Sequence, residues 1–335
     1  MKRLEFPLIP GFNVEFTDRD LALRRIEYWA EHGMAVVHVV YGPEGCGKSA
    51  WLKQSTELLR ELGFEVTYIN PLHQEFTAYT DMKDLIKQLT EAAAEVFGVA
   101  QVRLATLALE FVKEALKRRK RRVAVLVDDV FKAIGIDKAA IYVKGILGLI
   151  EYPPADYDVV VTVAATSEGL SRREIGRHRW AYLDAMWNMS KEGFKQLYEH
   201  IPGSKPDFEE TWRLTGGNPK ILGQLYEARW NIEAVLMRII NDKRLKAFTS
   251  SLLPEERKWL KEAVEDPDTL LMRERIPLMD RLVDLNLIVD TIPERLSHLW
   301  IDTPPPEKDL EIGVGKDNAW QAPLYKEAIR RVLGA

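Results

Sequence analysis

Apolar positions in the first half of the chain follow two alternating rhythms. Residues 35–41 (AVVHVVY), 123–127 (VAVLV) and 159–165 (VVVTVAA) are nearly continuous apolar runs, as strands buried on both faces should be. Residues 64–69 (FEVTYI) alternate and predict a further strand. Between these runs, apolar residues recur at every third or fourth position in 21–32, 51–62, 81–97, 102–119 and 138–150, which predicts amphipathic helices. Thr17 and Asp20 stand in capping-box relation before the first helix, and Gly33 and Gly63 are placed to end the first two. Strands alternating with helices in this order predict an α/β fold, a parallel sheet with helices on both faces.

From about residue 190 the rhythm changes. Residues 191–200, 208–214 and 220–229 predict short helices, with Gly216-Gly217-Asn218-Pro219 between the last two. Asn218 suits a helix N-cap and Pro219 a first helical position. Beyond Pro254, helices over 255–265 and 278–285 precede Leu287-Ile288-Val289, the Pro304-Pro305-Pro306 loop and a closing helix over 324–333. Helices followed by a short hairpin suit a winged helix. The expected organisation is an α/β core over 1–190, a helical lid over 191–250 and a winged helix over 251–335. No repeat or low-complexity tract interrupts it.

The turn after the first buried strand carries the chemistry. Gly42-Pro43-Glu44-Gly45-Cys46-Gly47-Lys48-Ser49 is a complete Gly-x-x-x-x-Gly-Lys-Ser phosphate loop, set between a strand and a helix. Such a pattern arises by chance in roughly one chain of this size per hundred, and the flanking elements make it far more specific. Its glycines let backbone N–H groups converge on phosphate, and the helix N-terminus adds a favourable dipole. Residues 42–50, Ala50 included, are the candidate nucleotide-binding segment, with Lys48 for the β- and γ-phosphates and Ser49 for Mg²⁺. The strand over 123–127 ends on Asp128-Asp129, which places two acids at the strand edge where open α/β sheets bind ligands. Asp128 is the candidate Mg²⁺ holder and Asp129 the residue that orients or deprotonates water. The alternative for the pair is capping of the following turn.

The third buried strand runs into Thr166-Ser167-Glu168, where Thr166 or Ser167 is a candidate for contact with the γ-phosphate or the lytic water. Among the arginines beyond, Arg173 and Arg177 are the candidates to stabilise transferring phosphate. The densest basic run, Lys117 to Arg122, is either a binding patch for nucleic acid or an acidic partner, or a solvated helix end whose cations suit the dipole.

Composition narrows the setting. A chain of 335 residues with 46% hydrophobic residues can bury a core for two or three domains. A net charge of −4 makes no overall demand for a nucleic-acid or anionic-membrane partner. The single cysteine excludes an internal disulfide and suits a reducing cytosol. The N-terminus shows no signal-peptide pattern and no apolar run approaches the ~18 residues of a membrane helix, so a soluble, cytoplasmic protein is expected. Cys46, at a helix N-terminus beside Lys48, is expected to be a reactive thiol. The histidines show no metal-ligand spacing.

The order Phe16-Thr17-Asp18-Arg19-Asp20, GPEGCGKS, VLVDD, VTVAATSE and TGGNP (Thr215 to Pro219) resembles the archaeal branch of the signal-transduction ATPases with numerous domains, relatives of the origin-recognition and AAA+ ATPases. The resemblance runs from about residue 12 to 333. It implies that Phe16 and Arg19 line the adenine side and that Pro219 packs near the base from the lid. It implies an ATP- or ADP-gated switch, closed by lid and winged helix, with slow hydrolysis and a protein partner or self-association. Related regulators often carry a winged-helix histidine that touches the β-phosphate, and Asn318-Ala319-Trp320-Gln321-Ala322-Pro323 has none. The competing function is a winged-helix DNA-binding ATPase, an origin-recognition-like loader or transcriptional regulator. Against it, the candidate recognition helix turns Asp280, Arg281 and Asp284 outward, a poor set for approaching phosphates.

Overall fold

The computed structural model describes residues 2–167 and 169–334. The chain opens with an antiparallel hairpin, β1 (Glu5–Ile9) and β2 (Phe12–Glu15), followed by α1 (Asp20–His32). Strand β3 (Val37–Tyr41) leads through the loop Gly42–Gly47 into α2 (Lys48–Glu61). Next come β4 (Glu65–Asn70), β5 (Glu75–Tyr79), α3 (Lys83–Ala93) and α4 (Val99–Lys117). Strand β6 (Arg122–Asp128) is followed by α5 (Val130–Ile134), α6 (Ala139–Glu151), β7 (Val159–Thr166), α7 (Gly169–Gly176) and β8 (Ala181–Ala185). The remainder is mainly helical: α8 (Lys191–Glu199), α9 (Phe208–Thr215), α10 (Pro219–Glu227), α11 (Ile232–Asp242), α12 (Leu245–Ser250), α13 (Pro254–Glu265) and α14 (Ile276–Asp284). It ends with the short pair β9 (Ile288–Val289) and β10 (Ala319–Trp320), then α15 (Pro323–Leu333).

The chain divides into two compact units. One comprises the residues up to Leu4, Asp20–Tyr41 and Lys48–Asp184; the other comprises Glu5–Arg19, Gly42–Gly47 and the chain from Ala185 onward. The first unit is built on a six-stranded sheet in the order β5-β4-β6-β7-β3-β8. Strands β4, β6, β7 and β3 run parallel, and β5 folds back antiparallel on β4. Alternate residues of β6 serve opposite faces: Val123, Val125 and Val127 enter a core with Leu104, Phe111, Val143 and Ile146 of α4 and α6. Helices α1 and α2 cover the other face. Both faces are dry, which is why β6 and β7 show unbroken apolar runs.

The second unit holds two apolar clusters among its described residues. Phe194, Leu197 and Leu222 pack with Phe12 and Val14 of the hairpin and with Trp212 and Tyr226. Leu236, Ile239, Leu260, Leu282, Trp320 and Ile329 belong to the other, and the indole Nε1–H of Trp320 donates to the Ala263 carbonyl at 3.0 Å. Between β9 and β10 the chain is held by polar anchors in place of a long ladder. Asp268 accepts the N–H groups of Lys316, Asp317 and Asn318 at 2.7, 3.0 and 3.3 Å. Burial works against the Asp268 carboxylate, but these N–H groups together with Lys308 outweigh it and hold its pKa below the usual range. The Arg295 guanidinium donates to the carbonyls of Lys316, Pro306, Glu307 and Gly315.

The entry to α1 departs from the expected capping box. The Thr17 hydroxyl donates back to the Glu15 carbonyl at 2.9 Å, and Asp18 and Arg19 take left-handed conformations before the helix begins at Asp20. The side chains of residues 18 and 19 are engaged elsewhere, Asp18 with Ser190 and Arg19 with Asp302.

Candidate phosphate-loop site

In the sheet unit, α2 begins with Lys48 and Ser49 and faces the end of β6. The Ser49 hydroxyl hydrogen-bonds the Asp128 carboxylate, with Lys48 close enough to act on its charge. Asp128 is 2% exposed and also accepts from the Tyr68 hydroxyl at 3.1 Å and the Asn70 side-chain amide at 3.3 Å. Burial first, then the neighbouring Asp129, push the Asp128 carboxyl above its ordinary pKa, while Ser49, Lys48 and Tyr68 pull it back. A buried carboxylate held off its ordinary value beside a lysine and a serine hydroxyl is a donor set suited to a hard divalent cation, whose charge would relieve the strain. Tyr68 and Asn70, which orient this acid from β4, carry no local sequence signal that links them to it.

Asp129 sits at the start of α5 with φ 48° and ψ 22°, and its side chain makes no capping hydrogen bond to that helix. Its N–H donates to the Ala165 carbonyl of β7 at 3.2 Å. The capping explanation for this second acid therefore has no hydrogen bond behind it. Thr166 is buried at the end of β7 and lies opposite Tyr41, the residue immediately before Gly42. Ser167 follows it half-buried, and Glu168 lies outside the described residues. The Arg177 side chain is 72% exposed and pairs at 2.9 Å with Glu174 of the preceding turn. Arg172, its neighbour in α7, lies over the Tyr41 ring at 5.3 Å from the centroid.

Residues Gly42–Gly47 belong to the second unit, where they are held at several points. Gly42 approaches the chain closely enough that a Cβ there would sit 1.9 Å from the Met186 carbonyl oxygen. Arg19, 3% exposed, donates to the Cys46 carbonyl at 2.5 Å, to the Trp187 carbonyl at 2.9 Å and to Asp302 at 2.7 Å. The Asp18 carboxylate accepts from the N–H and hydroxyl of Ser190 at 3.3 and 3.2 Å. Glu44 is gripped through its side chain by Lys220 at 2.6 Å, and its backbone by Asn218 and Gln321. Pro43 is buried and Ala50 is half-buried.

The expected reactive thiol is not met. Cys46 is fully buried, with its Sγ 3.9 Å from the Met186 carbonyl, so reagents in solvent do not reach it. Phe16 is buried edge-on against Phe6, with ring centroids 6.0 Å apart. The TGGNP segment folds as its residues suggest. Asn218 caps α10 by accepting the Ile221 N–H at 3.2 Å, and Pro219 takes the first helical turn. Gly217 has φ 79°, and a Cβ there would meet the Met189 carbonyl at 2.4 Å.

The two candidate nucleic-acid features make contacts within the protein. In the basic run, Lys117 pairs with Glu114, Arg118 with Asp84, Lys120 with Glu65 and Asp81, and Arg121 with Asp158. Arg122 lies over the Phe64 ring at 4.5 Å and donates to the Ala30 carbonyl. Arg281 of α14 pairs with Glu256 at 3.2 Å, donates to Ser251 and covers the Phe248 ring. Among the described residues no helix is long and apolar enough to cross a membrane.

The model of a family described as an ATPase domain predominantly from Archaea matches residues 16–225. No curated protein matches the sequence. Among solved structures, the ORC2 protein of Aeropyrum pernix, solved as ADPNP-ADP complexes, is 12% identical over 95% of this chain and 93% of its own, with a TM-score of 0.37. The ORC1 protein of the same organism, solved in complex with DNA, is 15% identical over 98% and 95%, with a TM-score of 0.39. Cdc6p from Pyrobaculum aerophilum is 12% identical over 98% and 97%, with a TM-score of 0.39.

Proposed function

Because the chain belongs to the family of ATPase domains found predominantly in Archaea, we propose that it binds ATP in the Gly42–Ser49 loop and hydrolyses it slowly, as a nucleotide-gated switch. The observation that carries this is the Lys48, Ser49 and Asp128 cluster: a buried carboxylate bonded to the loop serine, beside the loop lysine. Lys48 neutralises the β- and γ-phosphates, and Ser49 and Asp128 would hold Mg²⁺, whose charge offsets that developing on the transferred phosphoryl group. Asp129, free of a capping bond to α5, orients the attacking water, and Thr166 contacts the γ-phosphate or that water.

In this proposal residues 1–190 are the ATPase core, 191–250 the lid and 251–335 a winged helix in which β9 and β10 are the short hairpin. Pro219, at the start of α10, packs near the base. Phe16 shapes the same side of the cradle, and Arg19 acts on the loop through the Cys46 carbonyl. The likeness of the motif order to the signal-transduction ATPases supports the switch, with a protein partner or a second copy as the object of its signal. Arg281 of α14 is flanked by Asp280 and Asp284 and pairs with Glu256, which supports a signalling role over sequence-specific DNA binding through that helix.

The test is a pair of titrations on the full-length chain. ADP and Mg-ATP should bind saturably, with phosphate release slow against binding. Duplex DNA should bind at most loosely, with affinity falling steeply as salt rises. Absence of nucleotide binding, or a salt-resistant, sequence-selective DNA footprint lost in Arg281→Ala, would overturn the proposal.

A further inference from the structure

We infer that Gln321 and Asn188 are positioning residues for the phosphate loop, acting through a closed ring of amide hydrogen bonds around Glu44. The inference rests on the proposed role of Gly42–Ser49 as a nucleotide cradle and names what regulates its shape. The Glu44 N–H donates to Gln321 Oε1 at 2.8 Å. The Asn188 side-chain amide donates to the Gln321 main-chain carbonyl at 2.9 Å. The Asn218 Nδ2 donates to both Asn188 Oδ1, at 2.9 Å, and the Glu44 carbonyl, at 3.0 Å, which closes the ring. Asn188, Asn218 and Gln321 are 3%, 0% and 2% exposed.

The orientation of each amide follows from its neighbours. Asn218 Nδ2 faces the Glu44 carbonyl, which can only accept, while its Oδ1 takes the Ile221 N–H at 3.2 Å. Gln321 must present oxygen to the Glu44 N–H, and its Nε2 is left towards the Ile288 carbonyl at 3.5 Å. A buried polar network satisfied in this way is rigid, and removing one side chain leaves the group it met without its partner.

The ring fixes Glu44 at both its N–H and its C=O, and the next loop residues follow from it. The Cys46 carbonyl is separately held by Arg19. Phosphate binding depends on successive backbone N–H groups of this loop converging on one point, so the Glu44 backbone sets the start of that curve. Three stretches distant in sequence complete the ring: the segment after β8, the α10 N-cap and the turn after β10. A shift in the β10 turn is therefore transmitted to the loop, and a nucleotide that reshapes the loop acts back on that turn with the same coupling free energy. Gln321 lies in the segment where the resemblance leads one to look for histidine. Here it acts on the loop backbone, and its chemistry requires no contact with phosphate.

The experiment compares full-length wild type with Gln321→Leu, Gln321→Glu, Asn188→Ala and Ile329→Val. Amide exchange at Glu44 is followed by NMR without nucleotide, and ADP affinity by calorimetry. Gln321→Leu should speed Glu44 exchange and weaken ADP binding by about tenfold, the size expected for one orphaned buried donor. Gln321→Glu keeps an oxygen facing that N–H and should restore most of the slow exchange. Asn188→Ala opens the ring elsewhere and should act in the same direction, should Gln321→Leu fail to fold. Ile329→Val lowers stability from the α15 core and should leave Glu44 exchange at the wild-type rate. Wild-type Glu44 exchange in both Gln321→Leu and Asn188→Ala, or equal acceleration by Ile329→Val, overturns the inference. Lys48→Ala separates the two levels. If it abolishes ADP binding while the ring variants behave as wild type, the cradle stands and the ring does not. If it binds ADP normally, the cradle falls, and Glu44 exchange alone decides the ring.

Discussion

Lys48→Ala should abolish measurable ATP binding, and Asp129→Asn should bind ATP normally yet lose turnover. Lys48 is buried beside Asp128, so its removal takes away the charge that faces phosphate and leaves a buried carboxylate less compensated. Truncating one partner of such a charge pair costs about 2–5 kcal/mol, roughly thirtyfold to several thousandfold in Kd. Asparagine is the appropriate replacement at 129 because the residue sits at φ 48°, a conformation asparagine adopts readily. The backbone bond to Ala165 is then kept and only the acid is lost. Loss of a positioned base lowers rate by about 10²–10⁴. Isotopic phosphate release measured with equilibrium binding checks both; equal loss of binding in the two variants would show that the roles are not separate.

The second large effect is on stability. Arg19 and Asp302 form an ion pair with side chains only 3% and 2% exposed. Arg19 also donates to two backbone carbonyls, so Arg19→Ala removes the donor from three acceptors at once. Breaking a buried pair from one side costs about 3–5 kcal/mol. Arg19→Ala and Asp302→Ala should each lower the melting temperature clearly, and Asp302→Asn less. The double variant Arg19→Met/Asp302→Leu should lose less than the sum of the two alanine variants, because it leaves no unpaired charge. Strict additivity in thermal melts would mean that the two side chains are not coupled.

What the sequence made legible follows from how local each signal is. The loop Gly42–Ser49, the acids after β6 and the Asn218-Pro219 helix start are each specified within a few residues, and the alternation of buried runs with amphipathic helices is enough for the α/β class. Strand β8 (AYLDA) is short, with Tyr182 exposed and Asp184 buried, so it lacks the apolar run that marked β6 and β7. Strand β5 is half-buried throughout and forms the antiparallel edge, where little distinguishes it from a loop. The hairpin of β1 and β2 is similarly half-exposed. Asp302, Asn188 and Gln321 are invisible for a different reason. Each acts on a residue far away in the chain, and nothing near them in sequence marks a partner. Burial likewise explains Cys46: position beside a lysine suggests reactivity, but a thiol enclosed against the Met186 carbonyl meets no reagent.

The measurement that bears most directly on a nucleotide-gated switch is hydrogen exchange of the full-length chain with ADP and with a non-hydrolysable ATP analogue, each at saturation. Both nucleotides should protect residues 42–49. The two states should also differ beyond the loop, at residues 188, 218–222 and 318–323, because those segments hold the Glu44 backbone. Protection of the loop with identical exchange elsewhere would describe a nucleotide-binding protein without a switch, and no protection of residues 42–49 by either nucleotide would contradict the account at its root.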